Sequence, residues 1–154
     1  MTADAEAGKK ARELFLSGLN CAESVLVASM EHLGAKGDWF PRVASGFGSG
    51  ICLSGRECGA VTGSIMALGW VLGRDDASVK TERLYEVGAE LLTDFADKFG
   101  TTTCKKLIGV ELCDPYERKL AREQGYFEER CAPLVEFCGA WVAGRLDEER
   151  KKPA

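Results

Sequence analysis

The chain has 154 residues, 45% of them apolar, and a net charge of −4; that is enough for one domain with a real core. Its lysines and arginines are scattered among acids, which argues against a nucleic-acid surface. The acidic start Met1-Thr-Ala-Asp-Ala-Glu-Ala7 has no apolar signal segment, and the longest apolar run, Ala60 to Leu72, is too short to span a bilayer. The expectation is therefore a cytoplasmic protein that is not inserted in a membrane.

Thr2 can cap a first helix running to about Ser17, with Ala7, Ala11, Leu14 and Phe15 on one side. After Gly18, Asn20 opens a second helix, and Glu23 three residues on completes a capping-box pattern; Val25, Leu26, Ala28, Met30 and Leu33 form its core face. Asp38-Trp-Phe-Pro41 reads as the start of a short third helix, with proline in its first turn. The glycine-rich stretch Gly46 to Gly55 then gives a backbone able to turn sharply. From Cys58 to Leu72 the chain is apolar almost without interruption, the pattern of a helix buried on most of its circumference. Gly59 and Gly63, one turn apart in it, suggest the close approach of another helix.

Ser78 can cap a long amphipathic helix carrying Leu84, Val87, Leu91, Phe95 and Phe99, ended by Gly100. Thr103 caps a short segment, Cys104 to Ile108, and Asp114-Pro115 caps a charged, peripheral helix to about Gln124. Pro133 opens a last helix with Leu134, Phe137, Cys138, Trp141 and Val142 inward. No alternating strand pattern occurs. The expected fold is all-α: a compact multi-helix bundle around a central, buried, Gly-rich helix, with one domain at 1–146 and a charged, frayed tail at 147–154.

Seven cysteines are many for a chain of this size without signs of secretion. In a reducing compartment this favours metal, cluster or redox duty over structural disulfides. Cys21, Cys58, Cys104 and Cys131 each fall at or near an expected helix N-terminus, where free N–H groups and the helix dipole favour the thiolate. If those ends converge, they form a pocket of thiolates suited to an iron–sulfur cluster, a soft metal or a reactive thiol pair. Cys138 reads as a core residue and Cys113 as either. Cys52 is a loop cysteine or a resolving thiol in reach of Cys58.

The stretches Asn20-Cys-Ala-Glu23, Ala44-Ser-Gly-Phe-Gly48 and above all Cys58-Gly-Ala-Val-Thr-Gly63, with Cys104 and Cys131 following in order, resemble the redox-active CGAxxG family, also called C_GCAxxG_C_C. The resemblance runs from about Ala11 to Val142. It implies a small, mostly helical protein with four characteristic cysteines, often encoded beside transporter genes. It also implies a likeness to part of the split-Soret cytochromes, where an iron–sulfur role fits. This chain adds Cys52, Cys113 and Cys138 to the minimal pattern. It has no Cys-x-x-Cys-His, so no covalent haem is expected.

Other motifs carry less. Gly46-Phe-Gly-Ser-Gly50 lacks both dinucleotide-binding spacing and a Walker lysine. The only histidine, His32, stands late in the second helix and is expected to face solvent, so a Cys–His hydrolase is not expected. The resulting expectation is a redox protein in which Cys21, Cys58, Cys104 and Cys131 hold an iron–sulfur cluster, of the two-iron type, for electron transfer. Two alternatives stand beside it. One is a thiol–disulfide or sulfur-handling protein, with Cys58 attacking and Cys21 or Cys52 resolving. The other is a zinc or soft-metal module. The partners to consider are a redox protein, a membrane transporter and a second copy of the chain.

Overall fold

The computed structural model describes residues 1–153 as a succession of helices. They are α1 (Ala3–Leu16), α2 (Cys21–His32), a 3-10 segment (Arg42–Phe47), α3 (Gly59–Leu72), α4 (Glu82–Phe99), α5 (Cys104–Ile108), α6 (Pro115–Glu123), a π-helical turn (Phe127–Cys131) and α7 (Ala132–Lys151). Among the described residues the only β feature is an isolated bridge between Glu57 and Thr103. The fold is all-α.

Local signals set several of the ends. Asn20 accepts from the Glu23 N–H at 2.9 Å while Glu23 accepts from the Asn20 N–H at 2.8 Å, the reciprocal pair of a capping box. Asp114 accepts from the N–H groups of Tyr116 and Glu117, with Pro115 as the first helical residue of α6. Gly100 stops α4 in the left-handed conformation.

α1 lies along α7, and α2 packs against α1, α3 and α7. Leu26, Met30, Val61, Leu68, Leu91, Phe95, Val135 and Val142 are fully or almost fully buried in the core these helices share. Gly63 is what lets α2 and α3 meet. A Cβ there would lie 2.5 Å from the Ala22 carbonyl oxygen, so the two backbones touch. α4 covers another side of α3 and sends Phe95 and Phe99 against Phe137 of α7. A second, smaller apolar cluster forms around Cys104, Ile108, Leu112 and Ala121, flanked by Phe127 and Cys131.

Four expectations change. The third helical segment begins at Arg42, after Pro41, because the residue before a proline is disfavoured in helical conformation. α4 takes Thr81 as its N-terminal cap position, while Ser78 donates its hydroxyl to Asp76 in the preceding loop. The charged stretch from Asp147 is not frayed, and a boundary at 146 falls inside α7, which runs to Lys151. Asp147 meets His32 Nε2 at 3.0 Å, so that histidine is mostly buried rather than facing solvent. Arg83 holds Glu149 through two guanidinium nitrogens, and the Glu149 side chain is only 4% exposed. Long-range ion pairs thus extend a helix whose own sequence ends in charges.

Candidate functional site

Cys21 is the first residue of α2. Its position is fixed by a short polar relay: Asn20 Nδ2 donates to the Ser45 carbonyl at 3.0 Å, and the Ser45 hydroxyl donates to Glu23 at 2.6 Å. The start of α2 is thereby tied to the 3-10 segment. Cys58 is the N-terminal cap position of α3, and its N–H donates to the Thr102 carbonyl at 2.8 Å. Cys104 opens α5, but its N–H and that of Lys105 donate to the carbonyls of Arg56 and Gly55. The strand-like contact between 55–58 and 102–105 therefore brings Cys58 and Cys104 onto neighbouring segments while using the N–H groups that would have faced a thiolate.

Cys131 differs from its expected setting. It is not at a free helix N-terminus but ends the π-helical turn that runs directly into α7. Pro133 has no N–H to give the preceding turn, and the Ala132 N–H reaches back five residues to the Phe127 carbonyl. Single π turns of this kind recur at functional sites.

The sulfur of Cys21 is the common neighbour. A Cβ on Gly59 would lie 2.6 Å from it, so only glycine lets this sulfur rest against the start of α3. The backbone N–H groups of Ser49, Cys21, Ala22 and Gly59 lie near enough to oppose the effect of burial on its thiol. Ser49 reaches it through a feature the sequence did not announce. Ser49, Ile51, Cys52 and Leu53 all have positive φ, with Gly50 among them, a left-handed turn made mostly of non-glycine residues. Each such residue costs about 1–2 kcal/mol, so the turn must be held from outside. Hydrogen bonds from the Cys52 N–H to Gly46 and from the Arg56 N–H to Gly50, both 2.9 Å, do this. Of the loop glycines, Gly50 and Gly55 have positive φ; Gly46 and Gly48 do not.

Cys21, Cys104 and Cys131 line one cavity of about 340 Å³, with Phe15, Ser49 and Phe127 among its walls and Arg122 and Glu128 also lining it. Cys58 is buried beside Cys21, outside that lining. Burial dominates the chemistry. It pushes the Cys104 thiol up to about 12, with the neighbouring Cys21 adding to it, and pushes Cys58 well above the ordinary thiol range. Cys131 is raised by burial, then by Cys21 and Cys104. Cys21 is raised too, against the pull of its four N–H neighbours. The helix-end argument alone predicts lowered values; desolvation of a cluster packed between two apolar cores outweighs it.

Cys138 is fully buried on α7, and burial, opposed by the Ser64 hydroxyl, pushes it up to about 12. It belongs to the core, as expected. Cys52 and Cys113 are exposed, and the Cys52 thiol donates to the Gly46 carbonyl at 3.4 Å. Neither lines the cavity. Sequence reading also passed over Glu57, next to Cys58. Its Oε1 is buried without a partner, and burial raises its carboxyl despite a hydrogen bond from Thr102.

Cys58 is 4% exposed, so the glycine loop before it does not leave it open to attack from solvent. With a thiol-alkylating agent on reduced, metal-free protein, Cys52 and Cys113 should label first, and Cys58 and Cys138 only on unfolding. Mass spectrometry of the labelled peptides reads this order directly, and prompt labelling of Cys58 in folded protein would contradict its burial.

No three His, Cys, Asp or Glu side chains among the described residues are arranged to close on a single metal ion, and no helix is long and apolar enough to cross a membrane. The sequence model of the family described as "Putative redox-active protein (C_GCAxxG_C_C)" matches residues 19–144. That span contains all seven cysteines. Neither a curated protein nor a solved structure gives a match to the chain.

Proposed function

The chain belongs to the C_GCAxxG_C_C family, and from that premise we propose that Cys21, Cys58, Cys104 and Cys131 together hold an iron–sulfur cluster for electron transfer. One observation carries the reading. Cys21, Cys104 and Cys131 line a single cavity, and the Cys21 sulfur rests against Gly59, the residue that follows Cys58. The donor set suits the group, since iron–sulfur clusters are held by four cysteine thiolates. The two-iron type is the form proposed, with these four cysteines as its ligands.

When bound, the cluster supplies one-electron oxidation and reduction. The chain's own contribution is to bury the sulfurs and to orient donors. The backbone N–H groups of Ser49, Ala22 and Gly59 near the Cys21 sulfur favour negative charge there and would raise the potential of a bound cluster. Cys21 and Cys58 belong to the main core, whereas Cys104 and Cys131 belong to the smaller one. The proposed ligands thus join the two apolar clusters of the fold.

A thiol–disulfide reading keeps one supporting observation, the adjacency of Cys21 and Cys58 across Gly59. Cys52 is less suited to resolve, because it bonds outward to Gly46. Anaerobic reconstitution with ferrous iron, sulfide and reductant separates the readings. A brown protein with iron and acid-labile sulfide in equal amounts is the expected result. A colourless protein that retains zinc favours the soft-metal module. A colourless, metal-free protein with a titratable Cys21–Cys58 disulfide favours thiol exchange.

A further inference from the structure

The cavity that holds Cys21, Cys104 and Cys131 has a floor and a mouth of different character. Cys104 and Leu112 are its buried members, with Cys21 and Cys131 half-buried beside them, while Arg122 and Glu128 are exposed. Phe15, Leu19 and Phe127 supply half-buried apolar wall between the two. At about 340 Å³ it falls in the size range of small-molecule sites, which are largely apolar hollows with a few polar groups that orient the ligand.

Arg122 and Glu128 reach the mouth from either side of a sharp turn. Arg122 stands in the last turn of α6 and Glu128 in the π-helical turn, and Gly125 between them has a φ of 71°. Most charges nearby are engaged. Lys119 pairs with Glu123, Arg118 donates to the Leu112 carbonyl, and Arg130 donates to the Ile108 carbonyl while stacking on the Tyr126 ring. Among the described residues neither Arg122 nor Glu128 has an ion-pair partner, and they do not pair with each other. The mouth therefore offers a guanidinium and a carboxylate, opposite in charge, over a floor of thiols. A simple anion would meet Glu128, and a simple cation would meet Arg122. A molecule that carries both a carboxylate and an ammonium satisfies the two together through charge-assisted hydrogen bonds. A thiol is a weak donor and acceptor that behaves as a small apolar group, so the floor suits a side chain of the same kind.

We propose that this cavity binds a small sulfur-bearing α-amino acid, of which cysteine is the simplest, with its carboxylate on Arg122, its ammonium on Glu128 and its side chain toward the thiol floor. The binding forms and breaks no covalent bond. It concerns the mouth of the cavity and is independent of whether the sulfurs below hold a cluster.

Calorimetric titration of the full chain under anaerobic conditions, with L-cysteine up to about 10 mM, should show saturable binding. Three analogues each remove one contact. Cysteamine lacks the carboxylate, 3-mercaptopropionate lacks the ammonium and L-serine lacks the sulfur, and each should bind more weakly by about 10-fold or more. Arg122→Gln should lose as much affinity for cysteine and no longer tell it from cysteamine. Glu128→Gln should do the same and no longer tell cysteine from 3-mercaptopropionate. Both replace exposed side chains, so the helical circular dichroism should stay that of the wild type. If one variant fails to fold, the other carries the same test. Failure of cysteine to saturate the wild-type chain overturns the proposal, as does undiminished affinity in either folded variant. Serine binding as tightly as cysteine overturns the choice of a sulfur-bearing ligand. Iron and sulfide uptake reads the cluster separately. A chain that binds cysteine but takes up neither loses the cluster reading alone, and one that takes up both but ignores cysteine loses this proposal alone.

Discussion

Cys21→Ser is expected to yield a folded helical protein that takes up iron and sulfide at background level only. The asymmetry follows from where that sulfur sits. It lines the cavity with Cys104 and Cys131 and rests against Gly59 beside Cys58, so removing it takes the shared member from the proposed ligand set. The fold should survive. A serine hydroxyl at the start of α2 would have the backbone N–H groups of Ser49, Ala22 and Gly59 close by as donors. A satisfied hydrogen bond of this kind contributes about 1 kcal/mol and offsets the loss of the larger sulfur. Cys58→Ser should look different. It buries a hydroxyl at a position 4% exposed, a change that costs about 1–3 kcal/mol where no partner is found. Exposed Cys52 and Cys113 serve as controls, and their serine variants should load like the wild type. Iron and sulfide analysis beside a thermal melt separates the cases. Full cluster content in Cys21→Ser would remove Cys21 from the ligand set and turn attention to Cys138.

Gly63→Ala should destabilise the protein even though it replaces the poorer helix former. Alanine gains about 1 kcal/mol of helix propensity at such a position. Against that, its Cβ would stand 2.5 Å from the Ala22 carbonyl oxygen and 3.0 Å from the Ala22 Cα. Those are backbone atoms, so relief requires α2 to move as a body. Overpacking of this kind typically costs 1–3 kcal/mol or about that range, and a rigid obstacle places it at the upper end. A net loss of about 2 kcal/mol lowers the melting temperature of a chain this long by about 4–8 °C. The displacement also reaches the site, because Ala22 follows Cys21 directly. Reduced cluster loading in Gly63→Ala, beyond what the lower stability explains, is the second expected readout. A melting temperature above that of the wild type would mean that α2 and α3 can separate freely, contrary to the contact between their backbones.

The elements that could be read from the chain are those whose causes are local. A capping box needs only Asn20 and Glu23, and the α6 start needs only Asp114 and Pro115. The span Cys104–Ile108 came out residue for residue, because Thr103 before it and Gly109 after it bound so short a turn. Paired glycines with no local use, Gly59 and Gly63, signalled close approach without saying of what; the answer is the Cys21 sulfur and the Ala22 backbone.

What escaped depends on groups far apart in the chain. The left-handed turn at residues 49–53 contains isoleucine, cysteine and leucine, residues that no local rule places there, and it persists because the Cys52 N–H donates to the Gly46 carbonyl while the Ser49 and Gly50 carbonyls accept from the N–H groups of Gly55 and Arg56. His32 is drawn inward by Asp147, and α7 continues to Lys151 partly because Arg83 holds Glu149. Cysteine ionisation is the clearest case. Position at a helix end depends on neighbours in sequence, and it points towards the thiolate. Burial depends on everything packed around the sulfur, and it decides the other way for Cys58, Cys104 and Cys131. Local order of donors and caps is written residue by residue, whereas desolvation is a property of the assembled interior and exists only once the helices have closed over it.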